Sequence, residues 1–149
     1  ELMEQVAPTG PIYQAGTLSG NPVAMAAGIT QLTYLNDHPE VYTKIEANTT
    51  WLADQLRALE DKYHAGTTVN QIGSLLSVFF TEHPVTNFAD AKSSDVARYA
   101  EYFRHMLAQK IYLAPAQFEA MFVGNAHTQA DLDATAAAAE QTLAAMTKA

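Results

Sequence analysis

The chain has 149 residues, 48% hydrophobic and 16% charged, with 16 acidic against 8 basic side chains and a formal net charge of −8. That balance reads as globular and argues against nucleic acid or an anionic membrane as partner, since both demand a basic face. The absence of cysteine rules out disulfides and thiolate metal sites. The length suits one domain, or one domain with a piece of another. No apolar run approaches the ~18 residues that span a bilayer. The opening "ELMEQVAP" has no basic n-region and no initiator Met, so it reads as the middle of a longer, cytoplasmic chain.

The first informative stretch is "YQAGTLSGNPVAMAAG", Tyr13 to Gly28. Gly16 and Gly20 free the backbone for close approach or positive φ, and Thr17 and Ser19 add hydroxyls. Asn21 is a good N-cap and Pro22 a favoured first helical residue. Amides and hydroxyls at a helix start suit an anion, although an ordinary capped helix start has the same appearance. The helix expected over 22–36 is apolar on most sides of its first half, which should be buried, and Gly28 inside it suggests a close packing contact.

"NDHPE" ends that helix and starts another, with Pro39 in its first turn. Val41, Ile45, Leu52, Leu56, Leu59 and Tyr63 recur at helical steps and predict an amphipathic helix to about Tyr63. After Gly66, "TTVNQIGSLLSVFFTEH" predicts strands near 67–71 and 75–81 around Gly73 and Ser74. "HPVTNFADAKS" reads as a loop of turn formers. Ser93 or Ser94 would cap a helix to about Gln109, with Val96, Tyr99, Phe103, Met106 and Leu107 facing inward. "IYLA" reads as a short strand. Thr128 and Asp131 have capping-box spacing, Asp standing in for Glu, ahead of a helix whose apolar face is Leu132, Ala136, Ala139, Leu143 and Met146. The pattern is α+β, with short, mainly antiparallel strands covered by helices.

Little of the remaining sequence suggests chemistry by itself. His38, His64, His83, His105 and His127 never stand three or four apart, which argues against a metal site. No nucleophile elbow, Walker A loop or dinucleotide fingerprint occurs. In "YLAPAQFEAMFVGNAHT", Glu119 lies between Phe118 and Ala120 just ahead of the apolar "MFV". A carboxylate in such surroundings is desolvated unless partnered, which makes it a functional candidate. An exposed loop glutamate flanked by core residues is the alternative.

Taken in order, "YQAGTLSGNP", "AMAAG", "GSLLSVFF", "YLAPAQFEA" and "AHTQADLDAT" resemble the glutamate-1-semialdehyde 2,1-aminomutase family. This is a branch of the class III pyridoxal-phosphate-dependent aminotransferases, which have the aspartate-aminotransferase fold (fold type I). "GTLSGNP" would suit the wider class, whose members often carry "GSTFGGNP" variants, whereas "APAQFEA" with "AHT" points to the aminomutases. "GSLLSVFF" departs from the more usual "GSMF" type. The resemblance covers essentially the whole chain and corresponds to the C-terminal third of the family's sequence.

The resemblance implies a division into residues 1–36, the end of the large cofactor-binding domain with a connecting helix, and 37–149, the C-terminal small domain. It implies pyridoxal 5'-phosphate and pyridoxamine 5'-phosphate as cofactor forms and a homodimer in which Gly16 and Thr17 bind the cofactor phosphate of the neighbouring subunit. Tyr13 would line the same pocket, and Glu119 would position the substrate or its amino groups. The implied reaction is isomerisation of glutamate 1-semialdehyde to 5-aminolevulinate, feeding tetrapyrrole (porphyrin) synthesis. The family's Schiff-base lysine lies upstream of "GTLSGNP", and none of Lys44, Lys62, Lys92, Lys110 and Lys148 occupies its motif, so the chain alone is expected to be inactive. Two rival readings are another class III transaminase acting on ω-amino acids and a non-catalytic partner-binding domain.

Overall fold

Asn21 sets the start of the first long helix. Its side-chain oxygen accepts hydrogen bonds from the amides of Val23 (3.0 Å) and Ala24 (3.1 Å), and Pro22 at the first helical position has no amide to satisfy. The computed structural model describes residues 1–147, and the chain divides into two units, Glu1–Pro39 and Glu40–Ala149. In the first, a 3-10 turn over Leu2–Gln5 and a parallel bridge between Val6 and Ile12 precede the loop and helix α1, Pro22–Asp37. The expectation that α1 is buried in its first half fails. No residue of α1 is buried, and Val23, Met25, Ile29 and Leu32 are all exposed. A Cβ placed on Gly28 would meet nothing within 4 Å, so the expected packing contact is also missing. An apolar helix face is buried only when another layer lies against it, and the first unit taken by itself supplies none.

The second unit starts with α2, Glu40–Tyr63, which buries Val41, Thr49, Leu52, Ala53, Leu56 and Leu59. Thr49 meets burial by donating to the Ile45 carbonyl at 2.7 Å. The corner after α2 is held by Glu60, whose carboxylate accepts from the amides of Gly66 (3.2 Å) and Thr67 (2.8 Å) and from the Thr67 hydroxyl (2.8 Å). Strands β1, Thr68–Ile72, and β2, Leu75–Phe79, form an antiparallel hairpin across Gly73 and Ser74, as the sequence predicts.

Among the described residues the sheet has three strands in the order β1-β2-β3, all antiparallel. The third is Met121–Phe122, pairing with Leu75 and Leu76, and not the expected "IYLA". Residues 111–114 form no strand: the Ala114 carbonyl accepts from the Tyr99 hydroxyl at 2.7 Å, and it is 121–122 that pair with β2.

The segment expected as a loop contains a short helix, α3, Phe88–Ser93. Its turn formers act as a cap: Asn87 accepts from the Asp90 amide, and Asp90 accepts from the amide and hydroxyl of Thr86. These same bonds to Thr86 lower the Asp90 carboxyl below its usual range. Helix α4, Val96–Ala108, is capped by Asp95, which accepts from Ala97 and Arg98, and not by Ser93 or Ser94. Ser94 instead ends α3, with its buried hydroxyl donating to the Ala91 carbonyl. The inward face of α4 is Tyr99, Tyr102 and Met106. Val96 and Leu107, expected inside, lie off that face and are exposed.

Helix α5, Gln129–Met146, starts with the expected capping box: Thr128 accepts from the Asp131 amide and Asp131 accepts from the Thr128 amide. Its buried residues include Leu132, Ala139 and Leu143, with Ala136 and Met146 partly buried against the same core. That core lies where α2, α4 and α5 meet the sheet, and Met106 and Ala139 at its centre have no exposed surface. No helix among the described residues is long and apolar enough to cross a membrane.

Candidate active site

The residues singled out by the sequence fall in both units. In the first, the loop ahead of α1 is built from two successive turns, closed by the Ser19 amide on the Gly16 carbonyl and the Asn21 amide on the Leu18 carbonyl, each at 3.0 Å. Gly20 at φ +73° makes the step into Asn21, a conformation that L side chains rarely adopt. A Cβ on Gly16 would stand 2.5 Å from the Ser19 hydroxyl oxygen, so a side chain here would make that hydroxyl turn away. Tyr13 is fully open to solvent in this unit.

The free donors of this loop differ from those expected at a helix start. The first amides of α1 are already bound to Asn21, so the helix terminus itself offers little to an anion. Among the described residues, the amide and hydroxyl of Thr17 have no hydrogen-bond partner. An amide and a hydroxyl on one exposed residue, beside a glycine without a side chain, suit a phosphate oxygen.

In the second unit a cavity of about 530 Å³ opens between the sheet and α2, α4 and α5. Leucines and residues 111–115 form much of its wall, and its polar side chains are Tyr102, Tyr112, Glu119, His127 and Thr135. A mostly apolar hollow with a few convergent polar groups is the usual form of a small-molecule site. The Glu119 amide donates to the Ala116 carbonyl at 3.0 Å, and this turn brings the side chain to the surface. Glu119 is therefore exposed and not desolvated, and Phe118 beside it is half exposed.

Two tyrosines behind the cavity are held neutral. Burial, with the Glu119 charge adding to it, pushes the Tyr99 phenol up to about 12. Complete burial raises Tyr102 well above its ordinary range, and Tyr99 adds to the effect. His127 accepts from the Gly124 amide through Nδ1 at 2.8 Å, which leaves Nε2 to carry the proton of the neutral ring. Among the described residues no group of three histidine, aspartate or glutamate side chains is arranged to hold a metal ion.

Sequence reasoning did not single out Gln117 or Tyr102. Gln117 is buried inside the quoted "APAQFEA", yet a lone glutamine has no periodicity to announce it. Tyr102 lies one helical turn from Tyr99 and shares its face, a signal that was legible.

Two lysines of the described residues have their ammonium groups engaged. Lys62 forms an ion pair with Glu140 at 2.6 Å, and that hydrogen bond, with a further one to Tyr63, raises its pKa and keeps it protonated. Lys44 donates to the Asn125 carbonyl at 2.9 Å. Lys148 lies outside the described residues.

The chain belongs to the class III aminotransferases, whose family model matches residues 1–116. It is 55% identical over 143 residues to the glutamate-1-semialdehyde 2,1-aminomutase of Ruminiclostridium cellulolyticum, covering 96% of this chain and 33% of that protein. It is 50% identical over 148 residues to the aminomutase of the same name from Alkaliphilus oremlandii, covering 99% of this chain and 34% of that protein. The chain thus spans about a third of the length of the curated relatives it matches.

Among solved structures, an ω-transaminase from Sphaerobacter thermophilus superposes with a TM-score of 0.74 at 21% identity, over 96% of this chain and 33% of that one. A glutamate-1-semialdehyde aminomutase from Pseudomonas aeruginosa PAO1, in complex with PMP, superposes with a TM-score of 0.64 at 16% identity, over 70% of this chain and 23% of that one. These likenesses show the fold alone, an α+β arrangement shared with part of each of those chains.

Proposed function

We propose that the chain is the C-terminal portion of an aminomutase that converts glutamate 1-semialdehyde to 5-aminolevulinate. The observation that carries this reading is the identity to aminomutases of that name at about half of all positions across nearly the whole chain. On this reading residues 1–36 end the large cofactor-binding domain and residues 37–149 form the small domain. The protein works in the cytoplasm as a homodimer, with neither nucleic acid nor membrane as partner.

Pyridoxal 5'-phosphate, alternating with its pyridoxamine form, supplies the reversible amino-group chemistry when bound. The part played by this chain is binding and orientation. The Thr17 amide and hydroxyl donate to the cofactor phosphate of the neighbouring subunit, and Gly16 lets the phosphate approach the backbone. Tyr13 lines the same pocket. Glu119, an exposed carboxylate at the edge of the cavity, accepts hydrogen bonds from the substrate's ammonium group and holds it in place. The neutral phenols behind it add no competing negative charge. The reacting lysine is supplied by the preceding part of the longer protein, so the chain alone lacks activity.

The test uses the full-length protein and glutamate 1-semialdehyde without any added keto acid. Multiple turnovers to 5-aminolevulinate support the reading, because an intramolecular transfer consumes no external acceptor. Dependence on an added acceptor supports a class III transaminase acting on ω-amino acids, a second reading favoured by the likeness to the Sphaerobacter enzyme.

A further inference from the structure

The loop carrying Glu119 has three attachments, all to residues of α3, α4 or Ser94 between them. At its start, the Ala114 carbonyl accepts from the Tyr99 hydroxyl at 2.7 Å. In its middle, the Gln117 side-chain amide donates to the Ser94 hydroxyl at 2.8 Å and reaches the Ala91 carbonyl at 3.5 Å. Next to Glu119, the ring of Phe118 meets that of Phe88 with centroids 5.9 Å apart. Tyr99 and Gln117 are each 3% exposed; the Gln117–Ser94 bond is buried at both ends and the Tyr99–Ala114 bond at its donor.

Gln117 also carries an anomaly. Its side-chain oxygen is buried and is the one such atom among the described residues without a hydrogen-bond partner. Burying an unmatched acceptor is a cost that an apolar residue of the same size avoids. Packing alone therefore gives no reason for a glutamine here, whereas anchoring the Glu119 loop through its amide does.

We propose that Gln117 and Tyr99 are positioning residues, clamping the 114–119 loop to α3 and α4 so that Glu119 is held at the edge of the cavity. Neither touches substrate on this account, and each acts through Glu119. The inference rests on the reading of Glu119 as the substrate-positioning carboxylate. A carboxylate displaced by about 1 Å from a productive geometry can lose on the order of a hundred-fold in rate, so a buried clamp matters to turnover as well as to fold.

The experiment uses the full-length enzyme with four variants: Glu119→Gln, Gln117→Met, Tyr99→Phe and the double variant Glu119→Gln with Gln117→Met. Gln117→Met keeps the volume and deletes the amide, and Tyr99→Phe keeps the ring and deletes the hydroxyl. The clamp predicts that Gln117→Met and Tyr99→Phe each lower kcat/KM at least five-fold. It also predicts that Gln117→Met adds little to Glu119→Gln, because a misplaced group and an absent one are equivalent. If Glu119→Gln is impaired while both clamp variants are normal, or if the double variant shows the full product of the two losses, the clamp is wrong and the Glu119 reading survives. If Glu119→Gln is itself normal, that reading fails and takes the clamp with it. Should Gln117→Met not fold, Tyr99→Phe alone and combined with Glu119→Gln decides by the same comparison.

Discussion

Lys62 near the end of α2 and Glu140 on α5 meet at 2.6 Å, and the Tyr63 hydroxyl donates to the same carboxylate oxygen at 3.1 Å. The hydrogen bond from Lys62 lowers the Glu140 pKa, and the one to Glu140 raises that of Lys62. A lowered carboxylate contributes stability above its unfolded pKa and loses it as pH falls through the folded value. A raised amine contributes below its unfolded pKa and loses it as pH rises through the folded value. The pair should therefore stabilise α2 against α5 across the neutral range and fade at both ends. Both groups are solvated, so the effect is small and screened by salt. Thermal melts of Glu140→Gln and the parent should differ slightly at neutral pH and converge in acid and in strong base. A gap that persists in acid would show another cause.

Thr17→Val in the full-length protein keeps the side-chain shape and removes the hydroxyl. Losing one hydrogen bond to a charged group costs ~1.5–3 kcal/mol, roughly ten- to a hundred-fold in affinity. Cofactor titration of the apoenzyme should show that loss with the melting temperature of the apoenzyme unchanged, since Thr17 has no internal partner among the described residues. Unchanged affinity would remove Thr17 from the phosphate site.

Glu119→Gln should lower turnover at least ten-fold and leave stability nearly intact. The side chain is exposed and makes no hydrogen bond among the described residues, so the fold has little to lose. Circular-dichroism melts beside steady-state kinetics separate the two effects, and normal kinetics would return Glu119 to an ordinary loop position.

Met106→Ala should do the reverse. Met106 is completely buried between α4 and α5, with the Thr142 hydroxyl 3.6 Å from its sulfur. Truncation of such a residue costs about 2–5 kcal/mol through lost burial and the cavity left behind. Urea denaturation should show that loss, whereas a change under ~1 kcal/mol would mean that the site repacks.

Expressed alone, the chain should show no aminomutase activity and no stoichiometric lysine label after pyridoxal phosphate and borohydride. It should also bind hydrophobic dyes, because Val23, Ile29 and Leu32 on α1 lie exposed. One specifically labelled lysine together with turnover would overturn the expectation.

The legible parts of the fold were those written in local chemistry. Asn21-Pro22 announced α1, Thr128 and Asp131 announced α5, and the Gly73-Ser74 break announced the hairpin. Each signal lies within a few residues of its effect. What escaped was decided at a distance or in too few residues. The two-residue β3 is too short to show a period, and the end of "IYLA" is bonded to a hydroxyl on α4, a contact no local pattern reports. Thr86, Asn87 and Asp90 read equally well as turn formers or as a cap, and only their mutual hydrogen bonds decide. The candidate site divides likewise. Gly16, Thr17 and Glu119 stood out by their local surroundings and took their roles from motif resemblance, whereas Gln117 and its bond to Ser94 span a sequence separation that no local pattern reports.

The Glu60 corner after α2 bears on how this domain tolerates change in length. By gripping Gly66 and Thr67, Glu60 fixes the residue at which β1 begins and thereby which side chains of the strand face the core. Val69 packs against that core while Asn70 faces solvent. Slipping the strand by one residue would exchange them along its whole length. A single-residue deletion between Tyr63 and Gly66 thus forces a choice between breaking the Glu60 grip and turning the hairpin inside out. Lengthening the turn between Phe80 and Thr86 asks for neither, and costs instead the bonds by which Thr68 and Asn70 hold the Thr81, His83 and Val85 carbonyls.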